Sequence, residues 1–110
     1  MSNCVCMKPP FDYKDFKTNF IGIDETNGRF GEVSVELCKL CHSKWLRYYV
    51  EFEYISKSGR WFKGQISDDI FAKITPETAV ETLNDLPWHF CGGSYFNSNG
   101  KKGIGTISVD

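Results

Sequence analysis

The sequence predicts an α+β fold, an antiparallel β-meander of about four to five strands with one main α-helix packed on one face. Three observations lead there. Between residues 29 and 66 apolar and polar side chains alternate with a period of two, as strands with one buried and one wet face require. Asn27-Gly28 and the stretch SKSG at 56–59 interrupt that pattern with turn chemistry. Thr75-Pro76 then opens a segment with helical periodicity.

Taken in order, PPFDYKDF (9–16) is an irregular opening, because Pro9 and Pro10 fix φ and keep the residue before each out of the helical region. NFIGI (19–23) reads as a short strand. DETNG (24–28) is the turn after it, with Asn27 and Gly28 supplying positive φ. The return strand is 29–37, where Val33, Val35 and Leu37 alternate with Glu32, Ser34 and Glu36. A long strand is expected over 44–55, with Leu46, Tyr48, Val50, Phe52 and Tyr54 on one side. Trp45, Arg47, Tyr49, Glu51 and Glu53 fall on the other. Residues 60–66 form the next strand, with Phe62 and Ile66 inward.

Ser67 caps a short helical turn in DDIFAKI, where Asp68 and Asp69 meet the positive end of the helix dipole. The main helix starts at Thr75-Pro76, a cap followed by a proline at the first helical position, and stops at Pro87. It places Ala79, Val80, Leu83 and Leu86 on one face. Beyond it, Gly92-Gly93 serves a turn, Lys101 and Lys102 lie in a solvated tail, and GIGTISV (103–109) is a candidate edge strand. The 110 residues are read as one domain, 1–110: an N-terminal arm (1–18), a sheet (19–66), a helical segment (67–87) and a glycine- and aromatic-rich segment (88–110).

A formal net charge of −1 gives no global attraction for polyanions. No stretch reaches the roughly 20 apolar residues that span a bilayer, and MSNCVCMKPP has no apolar core of a signal peptide, so a cytoplasmic location is expected, with no membrane partner. In a reducing compartment closely spaced cysteines serve metals or redox chemistry more often than structural disulfides. The count of five cysteines is odd, which also fits a disulfide framework poorly.

Two cysteine pairs carry the chemistry. Cys38-Lys39-Leu40-Cys41 stands between two strands, where a turn folds both sulfurs into one small volume, and Cys4 and Cys6 form a second close pair. At these residues the chain resembles the knuckle of zinc-ribbon proteins, in which C-x-x-C is followed by a small or polar residue and an aromatic-bearing strand. His42, Ser43 and Trp45 fill those places. The resemblance covers about ten residues plus the first pair, and it departs from the family in that Cys4-Val5-Cys6 replaces a C-x-x-C followed by glycine.

The set expected is Cys4, Cys6, Cys38 and Cys41 around a structural Zn2+, pinning the arm to the hairpin tip with no position left open for catalysis. His42, His89 and Cys91 are the alternative ligands, and simple burial of the thiols is the bland reading. A redox role fits less well, because a thioredoxin-like pair opens a helix and this pair opens a strand.

No nucleophile elbow, phosphate loop or hydrolytic triad is present, so a non-enzymatic role is expected. Glu51 and Glu53 share a strand face about 7 Å apart and are read as a solvated pair facing Lys63 or Arg47. Trp45, Tyr49, Glu51, Glu53, Trp61 and Lys63 make a candidate protein-binding face on which carboxylates steer a basic partner and aromatics anchor it. Its concrete form is a small immunity or inhibitor protein. The alternative is nucleic-acid binding through Lys39, Lys44, Arg47, Lys101 and Lys102.

Overall fold

A computed structural model describes residues 4–52 and 54–109. Six strands form one antiparallel sheet in the order β1-β2-β3-β4-β5-β6: β1 Phe16–Asp24, β2 Gly31–Cys38, β3 Lys44–Val50, β4 Arg60–Ile66, β5 His89–Gly93 and β6 Ser98–Gly103. Every sheet neighbour is a sequence neighbour, so the expected meander forms with one or two more strands than the alternation predicts. The fold is mainly β. In place of one main helix there are two short ones, α1 Asp68–Lys73 and α2 Ala79–Asp85, the second led in by a 3-10 turn at Pro76–Thr78.

Caps and turns follow the residues that ask for them. Ser67 Oγ accepts from the Ile70 backbone N–H at 3.3 Å, and Thr78 Oγ1 accepts from the Thr75 N–H at 3.2 Å, satisfying donors that helix starts leave orphaned. Asn27 (φ 55°) and Gly28 (φ 69°) supply the left-handed backbone of the β1–β2 turn.

The two sheet faces bury different cores. Val33, Val35, Leu46, Tyr48, Val50, Phe62 and Ile66 point toward the helices and pack with Ala79, Val80, Leu83, Ile107 and Val109. Full burial of one such side chain contributes about 1.5–3 kcal/mol. Gly64 makes the helix contact possible. A Cβ there would collide with Leu86 and lie 2.9 Å from Leu83 Cδ2, so α2 comes down onto β4 where the strand has no side chain. The opposite face carries a second core of Cys6, Phe16, Cys38, Trp45 and Phe90, covered by arm residues Cys4, Met7 and Phe11 and by Trp88.

Four expectations are corrected. The strand over 44–55 ends at Val50, because the Ser58 hydroxyl takes over the Phe52 backbone, accepting from its N–H at 3.0 Å and donating to its carbonyl at 2.8 Å. Tyr54, expected inward, is 87% exposed, and the connection runs over 51–59 rather than through a four-residue turn. The tail forms a hairpin one step earlier than GIGTISV. Lys101 and Lys102 sit within β6, each over an aromatic ring, while Ile107 and Val109 leave the sheet to join the core. Gly92 and Gly93 lie in β5, where the register shifts and Gly93 takes φ 112°.

Candidate metal centre

The hairpin between β2 and β3 closes tightly around its cysteines. The Cys38 N–H donates to the Ser43 carbonyl and the His42 N–H to the Cys38 carbonyl, both at 2.9 Å, while His42 takes φ 64°. Cys41 is thereby carried back toward Cys38. From the other side, Cys4 precedes a 3-10 turn at Val5–Met7 in which the Met7 N–H reaches the Cys4 carbonyl at 2.9 Å. This turn brings both sulfurs of the close pair to the site. Asp15, at the end of the arm, accepts from the Lys39 N–H at 2.9 Å and fastens the arm's return to the same hairpin tip.

All four Sγ atoms lie within 4.8 Å of one another, with Cys4 to Cys38 and Cys6 to Cys41 at 3.4 Å. A tetrahedron with metal–sulfur bonds of about 2.3 Å has edges of about 3.8 Å, so this spread suits one four-coordinate ion. It is far too wide for disulfides, whose S–S bond is about 2.05 Å, and all five cysteines are free thiols. The donor set is what zinc prefers: soft, monodentate and four in number. The cysteine cluster is therefore consistent with a zinc-knuckle-like module.

The four thiols are not equivalent. Cys6 and Cys38 are wholly buried, Cys4 is half-buried and Cys41 is exposed. Burial, reinforced by the neighbouring thiols, pushes the Cys6 thiol far up. Cys4 is drawn down by the Cys6 backbone N–H, yet burial and the thiols of Cys38 and Cys41 outweigh it and leave the group raised. Cys41 is lowered to about 6, chiefly by the Ser43 hydroxyl 2.9 Å from its sulfur and by the Ser43 backbone N–H. An exposed thiolate thus stands at the entrance, and the buried Cys6 thiol gives up its proton when a cation takes the proton's place. His89 and Cys91 lie on β5 with Cys91 in the opposite core, and among the described residues the four-cysteine group is the metal-ligating cluster.

The predicted partner face is reorganised by the arm. Trp45, expected to be an anchor, is wholly buried, because Cys6, Phe16, Trp88 and Phe90 enclose it. Lys63 is 2% exposed, so it too presents nothing to a partner; its Nζ pairs with Glu36 Oε1 at 2.7 Å rather than with Glu51, and sits over the rings of Phe16 and Phe11. Tyr49 and Trp61 are half-buried and Glu51 is exposed, with the Tyr49 hydroxyl donating to Glu51 Oε1 at 2.6 Å. Glu53 lies outside the described residues.

Between the arm and the β5–β6 hairpin a cavity of about 960 Å3 opens onto this face, bordered by Phe11, Tyr13, Glu36, Arg47, Trp61 and Lys63. The sequence reading missed the arm's contribution to it; the aromatic spacing in PPFDYKDF was the available signal.

Among the described residues, no helix is long and apolar enough to cross a membrane. In comparisons with known proteins, the chain matches no family model, no curated protein and no solved structure.

Proposed function

We propose that the chain is a zinc-stabilised, non-enzymatic protein-binding module. The convergence of four sulfurs from the arm and the hairpin tip within 4.8 Å carries this reading. Four thiolates complete a tetrahedral shell, so the ion serves as a staple and offers no vacant position to a substrate. What it holds in place is the arm that buries Trp45 and walls the outer cavity.

The surface left for a partner is smaller than the alternation suggests, consisting of Tyr49, Glu51 and the open edge of Trp61. An exposed carboxylate beside two aromatic rings suits a partner with a basic surface, whose approach it steers and whose contact the rings anchor. An immunity or inhibitor protein that occludes a basic active site is the specific role proposed. Nucleic-acid binding has weaker support: Lys44 is engaged by Asp68 at 2.9 Å, and Lys101 and Lys102 point to opposite faces of β6.

The test combines metal analysis with partner capture. Protein purified without added metal should contain one equivalent of zinc, and a stoichiometric partner should be lost on Glu51→Lys and on Trp61→Ala while zinc is retained. Absence of zinc from a folded protein with four alkylatable thiols would defeat the staple. A partner indifferent to both substitutions would defeat the surface, and steeply salt-dependent retention on heparin would favour nucleic acid.

A further inference from the structure

The outer cavity has a charge imbalance that its own residues do not resolve. Arg47 on β3 and Lys63 on β4 stand directly opposite each other in the ladder, a like-charge pairing that costs stability unless each cation finds an anion. Lys63 has Glu36 at 2.7 Å. Arg47 has none: among the described residues no carboxylate lies within ion-pair distance, and its guanidinium is 5.5 Å from the centre of the Tyr49 ring. The three charged groups bordering the cavity therefore sum to one uncompensated positive charge, held on a planar fork suited to carboxylate or phosphate.

The rest of the lining is also that of a ligand site. Trp61 lies on β4 opposite Tyr49, diagonal to Arg47 in the same ladder, and Phe11 meets its ring edge-on at 5.8 Å, which fixes the orientation of the indole. Tyr13, 79% exposed, stands at the mouth. Asn97 and Asn99 on the β5–β6 hairpin add exposed amide groups to the far wall. A volume of about 960 Å3 holds a molecule of nucleotide size with room for water, and mixed aromatic and polar walls with one convergent charge are the usual composition of small-molecule sites.

From these features we infer that the cavity binds a small anion carrying a planar ring, its anionic group on Arg47 and its ring against Trp61. This site is separate from the metal centre and shares only Trp61 with the proposed protein contact, and because its anion-binding group is Arg47 it stands whether or not a protein partner is found.

Two matched pairs of probes test it on the metal-loaded protein: adenosine monophosphate against adenosine, and 2-naphthoate against 2-naphthamide. Binding is read by calorimetry and by the shift of the Trp61 indole N–H resonance. At least one anion should saturate the site and bind about tenfold or more tightly than its neutral partner, as a charge-assisted contact predicts. The pair that responds identifies phosphate or carboxylate as the preferred group.

Arg47→Ala should remove that preference, with Arg47→Gln carrying the test should the alanine variant not fold. Lys57→Ala, in the β3–β4 connection, should leave binding as it was. No saturable shift with either anion would overturn the inference, as would equal binding of charged and neutral members, or full affinity without Arg47.

Discussion

Lys63 Nζ lies 2.7 Å from Glu36 Oε1, inside the fold and beneath the ring of Phe16. Burial draws the proton affinity of Lys63 down and the Glu36 carboxylate acts against that, so one carboxylate holds the ammonium against the cost of burial. Removing one partner strands the other. Lys63→Ala should cost about 3–5 kcal/mol in urea unfolding, whereas the paired change Lys63→Met with Glu36→Leu should cost markedly less. A double variant as unstable as the sum of the two single variants would show that the ions do not act as a pair.

The metal centre gives a sharper contrast among the five cysteines. Cys6→Ser or Cys38→Ser should abolish zinc binding, and Cys91→Ser, on the other face of the sheet, should leave one equivalent bound. A chelator should lower stability by about 3 kcal/mol or more where zinc had been present at a hundredfold excess over its dissociation constant. Calorimetric melting with and without chelator measures this, and identical curves would refute it.

Thiol reactivity in the metal-free protein should follow the environments of the sulfurs. Cys41, lowered to about 6 and exposed, should be alkylated first at neutral pH, and Cys6, buried and pushed up, last. Mass spectrometry of a timed alkylation series reads the order directly. Zinc should protect all four while leaving Cys91 unaffected.

Acid stability should depend on Asp24. Burial alone would raise its carboxyl, but hydrogen bonds from Thr26 and from the Tyr48 hydroxyl, the latter at 2.7 Å, outweigh that, and Arg29 adds to them, leaving the group below the ordinary aspartate value. The folded state thus binds its proton less readily than the unfolded chain. The stabilisation is fully present above about pH 4 and is lost as pH falls through the folded value. The stability difference between wild type and Asp24→Asn should shrink as pH is lowered below 4; a constant difference would contradict the assignment. Tyr48→Phe should cost about 1–3 kcal/mol at neutral pH by leaving a buried carboxylate oxygen short of a donor.

Two glycines should resist even alanine. A Cβ at Gly31 would strike the Tyr48 ring and one at Gly64 the Leu86 side chain, so each substitution should cost about 1–3 kcal/mol through forced repacking. Gly28, with open space around it but φ 69°, should show a smaller loss from backbone strain alone. Chemical denaturation of the three alanine variants ranks them.

Local rules carried the sequence reading a long way. Period-two alternation placed Val33, Val35, Leu46, Tyr48, Val50 and Phe62 on the buried face, and cap chemistry located the starts at Ser67 and Thr75 because both depend on neighbours a few residues away. The cysteine spacing indicated which sulfurs would meet. Hidden from it was whatever crosses the sheet. An alternating pattern says which residues share a face and says nothing about what covers that face, so Trp45 and Lys63 read as surface until the arm is laid over them. Strand β3 ended early for a similar reason, since the Ser58 hydroxyl that intercepts the Phe52 backbone comes from six residues further on. The glycine-rich hairpin β5–β6 carries little alternation to read: Ser98–Gly103 holds no large apolar side chain.

A meander whose strands pair only with their sequence neighbours can grow as the chain is synthesised, one hairpin at a time. The arm cannot. Cys4 and Cys6 are made before the hairpin bearing Cys38 and Cys41 and find no mates until it has emerged, and Phe11 must wait longer still, for Phe90 of β5. The arm therefore settles in two steps, its cysteines once the β2–β3 hairpin is made and Phe11 only once β5 is in place, so zinc capture would precede the synthesis of more than half of these 110 residues.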